Sequence, residues 1–242
     1  MRTLTTTLLV FDVRGMLAHF RRPDTAVTHS TYPFLTRTAL RGLLGAILGT
    51  EPLREGWTAI ELRAPVRTRT QQLSMLGKMY LDGSSTKTFH RPTAVELVIR
   101  PHYRVYYTGP QQAELAAAIR RRKSVYPTYL GVAYALTVPE YVGEWEAEPV
   151  AMRDGEVLTC RSVVPVAVVK RLEPLPDAEY ARVGGLLYEM VGPRQFHGGV
   201  SVLYNAAGGP IRFVAQPAAA FPPVQLVRLK TGEHAGEVVA LW

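Results

Sequence analysis

Cysteine is almost missing from this sequence: among 242 residues Cys160 stands alone, which excludes an intramolecular disulfide framework and any cysteine-rich zinc site. Apolar runs are short as well. None approaches the ~18–20 residues that a membrane span needs, and the N-terminus lacks the apolar stretch and small-residue cleavage site of a signal peptide. A cytoplasmic protein with no membrane contact is expected. Gly77-Lys78 has neither the upstream glycine nor the following Ser/Thr of a phosphate-binding loop, and no G-x-S-x-G nucleophile elbow occurs. The six histidines (His19, His29, His90, His102, His197 and His234) are scattered, with no pair at i, i+4 and no cysteine partners. Neither a metal site nor a cofactor is expected. No repeat of solenoid period is present.

What the chain does have is an ordinary apolar share, 47%, enough for a packed core, and an uneven charge. Residues 1–130 carry 19 Lys/Arg against 8 Asp/Glu, whereas residues 131–242 carry 9 against 12. A basic excess confined to one half suits a polyanion-binding surface, and nucleic acid is the first expectation. Arginine dominates the excess, and its planar fork grips phosphate and stacks on bases. A GC-rich genome that encodes Arg for any solvated cation is the other source of such a count.

The pattern along the chain predicts an order of elements. Thr5–Val13 is β-branched and apolar, a first strand closed by Gly15. In Thr38–Gly49, Leu40, Leu43, Leu44, Ile47 and Leu48 share one helical face, with Thr36 as N-cap and Gly49 after the last turn. Gly42 and Gly45 each cost a helix ~1 kcal/mol, so a close approach by sheet or ligand should justify them. Trp57–Val66 alternates like a strand. Residues 67–92 read as a long hairpin with a Gly-Ser-Ser tip. Thr93–Arg100 and His102–Thr108 read as strands parted by Pro101, Pro110–Ser124 as a helix with a cationic end, and Tyr129–Val138 as a strand. The order β-α-β-(hairpin)-β-β-α-β is that of a ferredoxin-like, RRM-like domain over 1–138 with one insertion. Residues 139–242 read as a smaller, mostly β region with strand runs at Val157–Val169 and Val200–Gln216 and a weak helix over Asp177–Met190. The expected class is thus α+β. Glu144, Glu146 and Glu148 alternate as on a solvated strand face.

Gly15–Pro23 is the segment richest in chemistry. Arg21 and Arg22 sit beside Phe20, ahead of a helix that carries Arg37 and Arg41. Cations beside aromatics suit single-stranded RNA, where Arg neutralises phosphate and a ring stacks on a base. Tyr32 is a second candidate platform; Phe20, Tyr32 and Phe34 could equally anchor the loop to the core. The hairpin adds Arg67, Arg69, Lys78, Lys87 and Arg91, with His90, on a projecting element. Arg120–Lys123 fits either a solvated helix end or a phosphate contact. The Gly192–Gly199 loop fits a plain turn or a backbone cradle for phosphate.

The runs FDVRGMLAHFRRPDT, THSTYPF and TRTALRGLLGAILG, and further on Tyr126-Pro127-Thr128-Tyr129-Leu130-Gly131, resemble the Cas five family of the repeat-associated mysterious protein (RAMP) superfamily. The likeness covers most of residues 4–137. It implies a subunit of a type I CRISPR Cascade complex in antiviral defence, one that binds the 5′ handle of the CRISPR RNA and caps a filament of Cas seven backbone subunits. It also implies contact with a large Cas eight-type subunit, and with target DNA through the complex. Gly15, Phe20, Arg21, Arg22, Tyr32, Arg37 and Arg41 are carried over from the matched runs. The hairpin residues are assigned to the family's thumb by placement alone. One branch of the family cuts precursor RNA without a metal and has an adjacent Lys-His pair. That pair is missing here, since the six histidines follow Ala18, Thr28, Phe89, Pro101, Phe196 and Glu233. A non-catalytic role is therefore expected. An endoribonuclease built from His19, Tyr32, Lys87 and His90 is the alternative.

Overall fold

The computed structural model describes residues 5–25, 28–76, 90–193, 195–218 and 220–242. It is a mixed α+β structure, mostly strands, with two α-helices. Strand β1 (Thr6–Arg14) leads into three short strands, β2 (Leu17–Ala18), β3 (Phe20–Arg21) and β4 (Thr31–Tyr32), then helix α1 (Arg37–Leu48). β5 (Trp57–Leu62), the hairpin β6 (Thr68–Leu76) and β7 (His90–Ile99), β8 (His102–Thr108) and α2 (Gln112–Arg120) follow. The remainder is β9 (Glu140–Pro149), β10 (Val157–Cys160), β11 (Val164–Pro165), β12 (Val169–Leu172), β13 (Tyr180–Gly192), β14 (Gln195–Asn205), β15 (Ile211–Ala215), β16 (Gln225–Leu229) and β17 (Val238–Leu241).

A nine-stranded sheet runs β12-β15-β10-β17-β16-β9-β1-β8-β5. β1 pairs antiparallel with β8 on one side and β9 on the other, and β8 pairs antiparallel with β5. β9 in turn pairs with β16, so the sheet is continuous across residue 139. β1 lies between two cores, which is why its middle reads as unbroken apolar residues and not as an alternation. Leu9, Phe11 and Val13 face α1 and α2, whereas Leu8 and Val10 meet Tyr106, Trp145 and Leu229 on the other face. On that second face Arg104 grips Asp12 through two bonds of 2.7 and 3.0 Å and reaches Glu233, tying the β16–β17 turn to the sheet. Burial opposes ionisation of Asp12, but the hydrogen bonds from His102 and Arg104 outweigh it and pull its pKa down to about 2.

α1 forms as its pattern predicts. The Thr36 hydroxyl accepts from the Ala39 amide, and Gly49 takes the left-handed turn at φ 76°. Gly45 is required by close approach: a Cβ there would stand 2.7 Å from the Glu51 carbonyl oxygen. Three expectations fail. Asp177–Met190 is not a helix: β13 begins at Tyr180 and pairs with β14 from Tyr180↔Asn205 to Gly192↔Gln195. Tyr129–Val138 is not a strand but a tight loop with a single bridge between Tyr129 and Leu136; the strand in that place is β9. Finally, α2 stops at Arg120, so Arg121–Lys123 lie beyond it.

Candidate nucleic-acid interface

A cleft of about 290 Å³ opens between the β3–β4 pair, the first half of α1, the Pro52–Arg54 turn and the β13–β14 hairpin. Register places Phe20 opposite Tyr32, and both rings are buried. The Tyr32 hydroxyl donates to the Gly185 carbonyl at 2.5 Å. Tyr32 is thus an anchor between β4 and the hairpin, and its ring is spent on the core instead of being offered to a base. Phe20 has the same fate, packing near Tyr103.

Arg37 also turns inward. It donates to the carbonyl oxygens of Tyr188 and Trp242 and to the Thr58 hydroxyl, with its guanidinium 4.3 Å from the Tyr188 ring centroid. Burial first, and the neighbouring Arg41 second, push its pKa down to about 10. A cation held this way cannot reach phosphate without abandoning three hydrogen bonds and the Tyr188 ring, which argues against its reading as a contact residue. Arg41 is intermediate. It donates to Leu53 and Gly56 carbonyls at 2.8 and 2.9 Å, yet it lines the cleft, and its Nε has no partner among the described residues. Gly15 lies away from the cleft, where its backbone N–H donates to Pro101 and a Cβ would press on Leu130 at 3.1 Å. Its requirement is packing.

The cations open to the cleft are Arg21 and Arg54, both exposed and without a carboxylate within 4 Å among the described residues. Arg22, by contrast, forks onto Asp24 at 3.1 and 2.7 Å, so its charge is already met. One acid, Glu189, faces the cleft. His19 is buried at its edge with Nδ1 2.7 Å from the Glu96 carbonyl. Burial lowers its pKa, opposed by that hydrogen bond and reinforced by Arg21. The ring is therefore neutral at pH 7, donating from Nδ1 and leaving Nε2 as an acceptor with no partner among the described residues.

The hairpin residues form a separate surface. Arg67, Arg69 and His90 are exposed and Arg91 is half-buried; Lys78 and Lys87 lie outside the described residues. His90 is five residues along β7 from Val95, the partner of His29, or about 17 Å at a strand's rise. His19 and His29 stack with ring centroids 6.3 Å apart, and His90 is not part of that pair. Residues that the sequence reading missed are Arg54, Leu187, Glu189 and Met190, the last three on β13, while Phe196 comes from the glycine-rich loop already singled out. The signal was there in Gly184-Gly185, which a helix tolerates poorly, and in the turn pair Gly192-Pro193 between two apolar runs. Arg194 of the glycine-rich turn lies outside the described residues. Among the described residues no cluster of His, Cys, Asp or Glu could hold a metal, and no helix is long and apolar enough to cross a membrane.

A family model described as CRISPR-associated protein (Cas_Cas5) matches residues 8–156. No curated protein matches the chain. Among solved structures, a CRISPR protein from Archaeoglobus fulgidus is similar over 97% of this chain and 98% of its own, with a TM-score of 0.53 at 10% identity. A chain of a CRISPR RNA-guided surveillance complex is similar over 84% and 91%, with a TM-score of 0.50 at 13% identity. At such identities the likeness concerns the fold.

Proposed function

The chain belongs to the CRISPR-associated Cas5 family, and from that premise we propose that it is a non-catalytic subunit of a type I RNA-guided interference complex in the cytoplasm, gripping the 5′ end of the guide RNA. The order β9-β1-β8-β5, antiparallel throughout with α1 and α2 on one face, supports the ferredoxin-like reading of the RNA-binding core. The observation that carries the proposal is the cleft: among the described residues Arg21 and Arg54 stand exposed at its mouth with no carboxylate within 4 Å, and Arg41 adds its charge from the buried wall. Phosphate entering there meets Arg21, Arg54 and Arg41 against a single acid, Glu189, the positive excess that polyanion binding requires. The hairpin cations Arg67, Arg69 and Arg91 project separately, where they can press on the guide against the first Cas seven backbone subunit. A Cas eight-type subunit and target DNA complete the partners of this reading.

The test is a salt titration of binding to CRISPR-repeat RNA. Arg21→Ala and Arg54→Ala are each expected to flatten the slope of log K against log salt by about 0.7, the value for one single-strand phosphate. Arg22→Ala is expected to leave it unchanged, because Asp24 already neutralises that residue. Slopes that ignore Arg21 and Arg54 would remove the cleft from the RNA path.

The second reading, a metal-independent endoribonuclease, draws on the neutral His19, whose buried Nε2 has no partner among the described residues and keeps the lone pair a general base needs. Incubating the chain with labelled repeat RNA in EDTA separates the two. Intact RNA is expected; cleavage at one position that His19→Ala abolishes would establish the nuclease.

A further inference from the structure

Gly42 has no account in the folded chain. It sits in the middle of α1, where glycine weakens a helix, and a Cβ built on it would meet nothing within 4 Å. Gly45, by contrast, is required by the Glu51 carbonyl. The space above Gly42 is a groove of about 390 Å³, floored by Ala39, Gly42 and Ala46 and walled by Pro52, Pro127 and Tyr129. This groove shares Ala39, Pro52 and Gly131 with the cleft described above. At its other end it shares Thr128 with a smaller depression bordered by Arg122 and Lys123.

The far end is as cationic as the near one. Arg121, Arg122 and Lys123 are exposed and, among the described residues, none meets a carboxylate within 4 Å, whereas Arg120 is held by Tyr141 and Glu144. From residue 115 to residue 139 the sequence contains no acid. The same stretch exposes Tyr126, Tyr129 and Tyr134 at 56%, 44% and 57%. Backbone bonds from Val125 and Tyr126 to the Ile47 and Ala46 carbonyls hold it against the end of α1, and one from Thr137 to Thr128 closes the loop on itself. These rings are exposed on a fixed backbone. They are not the remains of a loose loop.

We infer that this groove carries the RNA strand onward from the cleft, along α1 over Gly42 to the cations beyond α2, with the exposed tyrosines as stacking surfaces for its bases. The inference rests on the reading of the cleft as an RNA site and extends its path. The occupant must have flat apolar faces to lie over a glycine floor beside tyrosines, and negative charge at both ends of the groove. A single-stranded RNA has both properties. An apolar protein segment would fill the groove but leaves the cations at its two ends without a role.

The test uses the full chain and two repeat-derived RNAs with a common 5′ end, about 4 and about 12 nucleotides long, spanning the usual site sizes for single strands. Gly42→Met is expected to melt no lower than the parent, to bind the short RNA equally well, and to bind the long RNA at least about fivefold more weakly. The triple variant Arg121→Ala, Arg122→Ala, Lys123→Ala is expected to flatten the salt slope by about 2 for the long RNA and not for the short one, at ~0.7 per phosphate. Parental binding of both RNAs by both variants would overturn the groove while leaving the cleft in place. If Arg21→Ala and Arg54→Ala are also silent, the cleft reading fails and the groove falls with it. A Gly42→Met chain that keeps its RNA affinity but no longer joins its complex would assign the groove to a protein partner instead.

Discussion

Arg37 and Arg41 lie one turn apart on α1, both buried, with Arg41 in the cleft wall, while Arg21 and Arg54 are exposed at the cleft. The same residue type thus serves two purposes, and only the surroundings separate them. Arg37 holds the oxygens of Tyr188, Thr58 and Trp242 together. Arg37→Ala would strand those acceptors and open a void, so a loss of about 3 kcal/mol in urea unfolding is expected. Tyr32→Phe removes only the bond to Gly185 and should cost about 1 kcal/mol, with RNA affinity retained. Asp12 gives a pH dependence. Its folded pKa of about 2 lies below the unfolded value near 3.9, so its contribution is complete above pH 4 and disappears as pH falls from 4 to 2. Denaturation midpoints across that window should fall for the parent and stay flatter for Asp12→Asn, which begins less stable.

At the level of elements, α1 was legible because everything that fixes it is local: the apolar spacing, the Thr36 cap and the Gly49 turn. Its two glycines are distinguished only by neighbours. Gly45→Ala should destabilise, because the Glu51 carbonyl blocks the added carbon, whereas Gly42→Ala should stabilise by up to ~1 kcal/mol. Melting temperatures of the two variants moving in opposite directions would verify this. β13 was misread because Val183, Leu187 and Met190 fall near helical spacing. Pairing with β14 overrides that, and the register shift between Val183 and Leu186 lets Gly184 and Gly185 bulge. The hairpin so formed lies over α1 and builds half of the cleft. The part of the cleft that the hairpin builds is therefore not encoded in any local pattern.

For the molecule as a whole, the charge asymmetry visible in composition survives folding, but not every cation contributes to it. Arg104, Arg63 and Arg161 are consumed by Asp12, Glu61, Glu233 and Glu237 on the face of the sheet away from the helices. Among the described residues, exposed cations with no carboxylate within 4 Å include Arg21 and Arg54 at the cleft, Arg121–Lys123 beyond α2, and Arg67 and Arg69 on the β6–β7 hairpin. Residue types, the helix α1, the antiparallel β-α-β order of the first half and a basic surface were all set by local sequence, since propensity, capping and periodicity act over a few residues. Which arginines remain free was decided only by tertiary structure. The oxygens that capture Arg37 come from residues 151 and 205 positions away, and no local pattern encodes a partner at that distance.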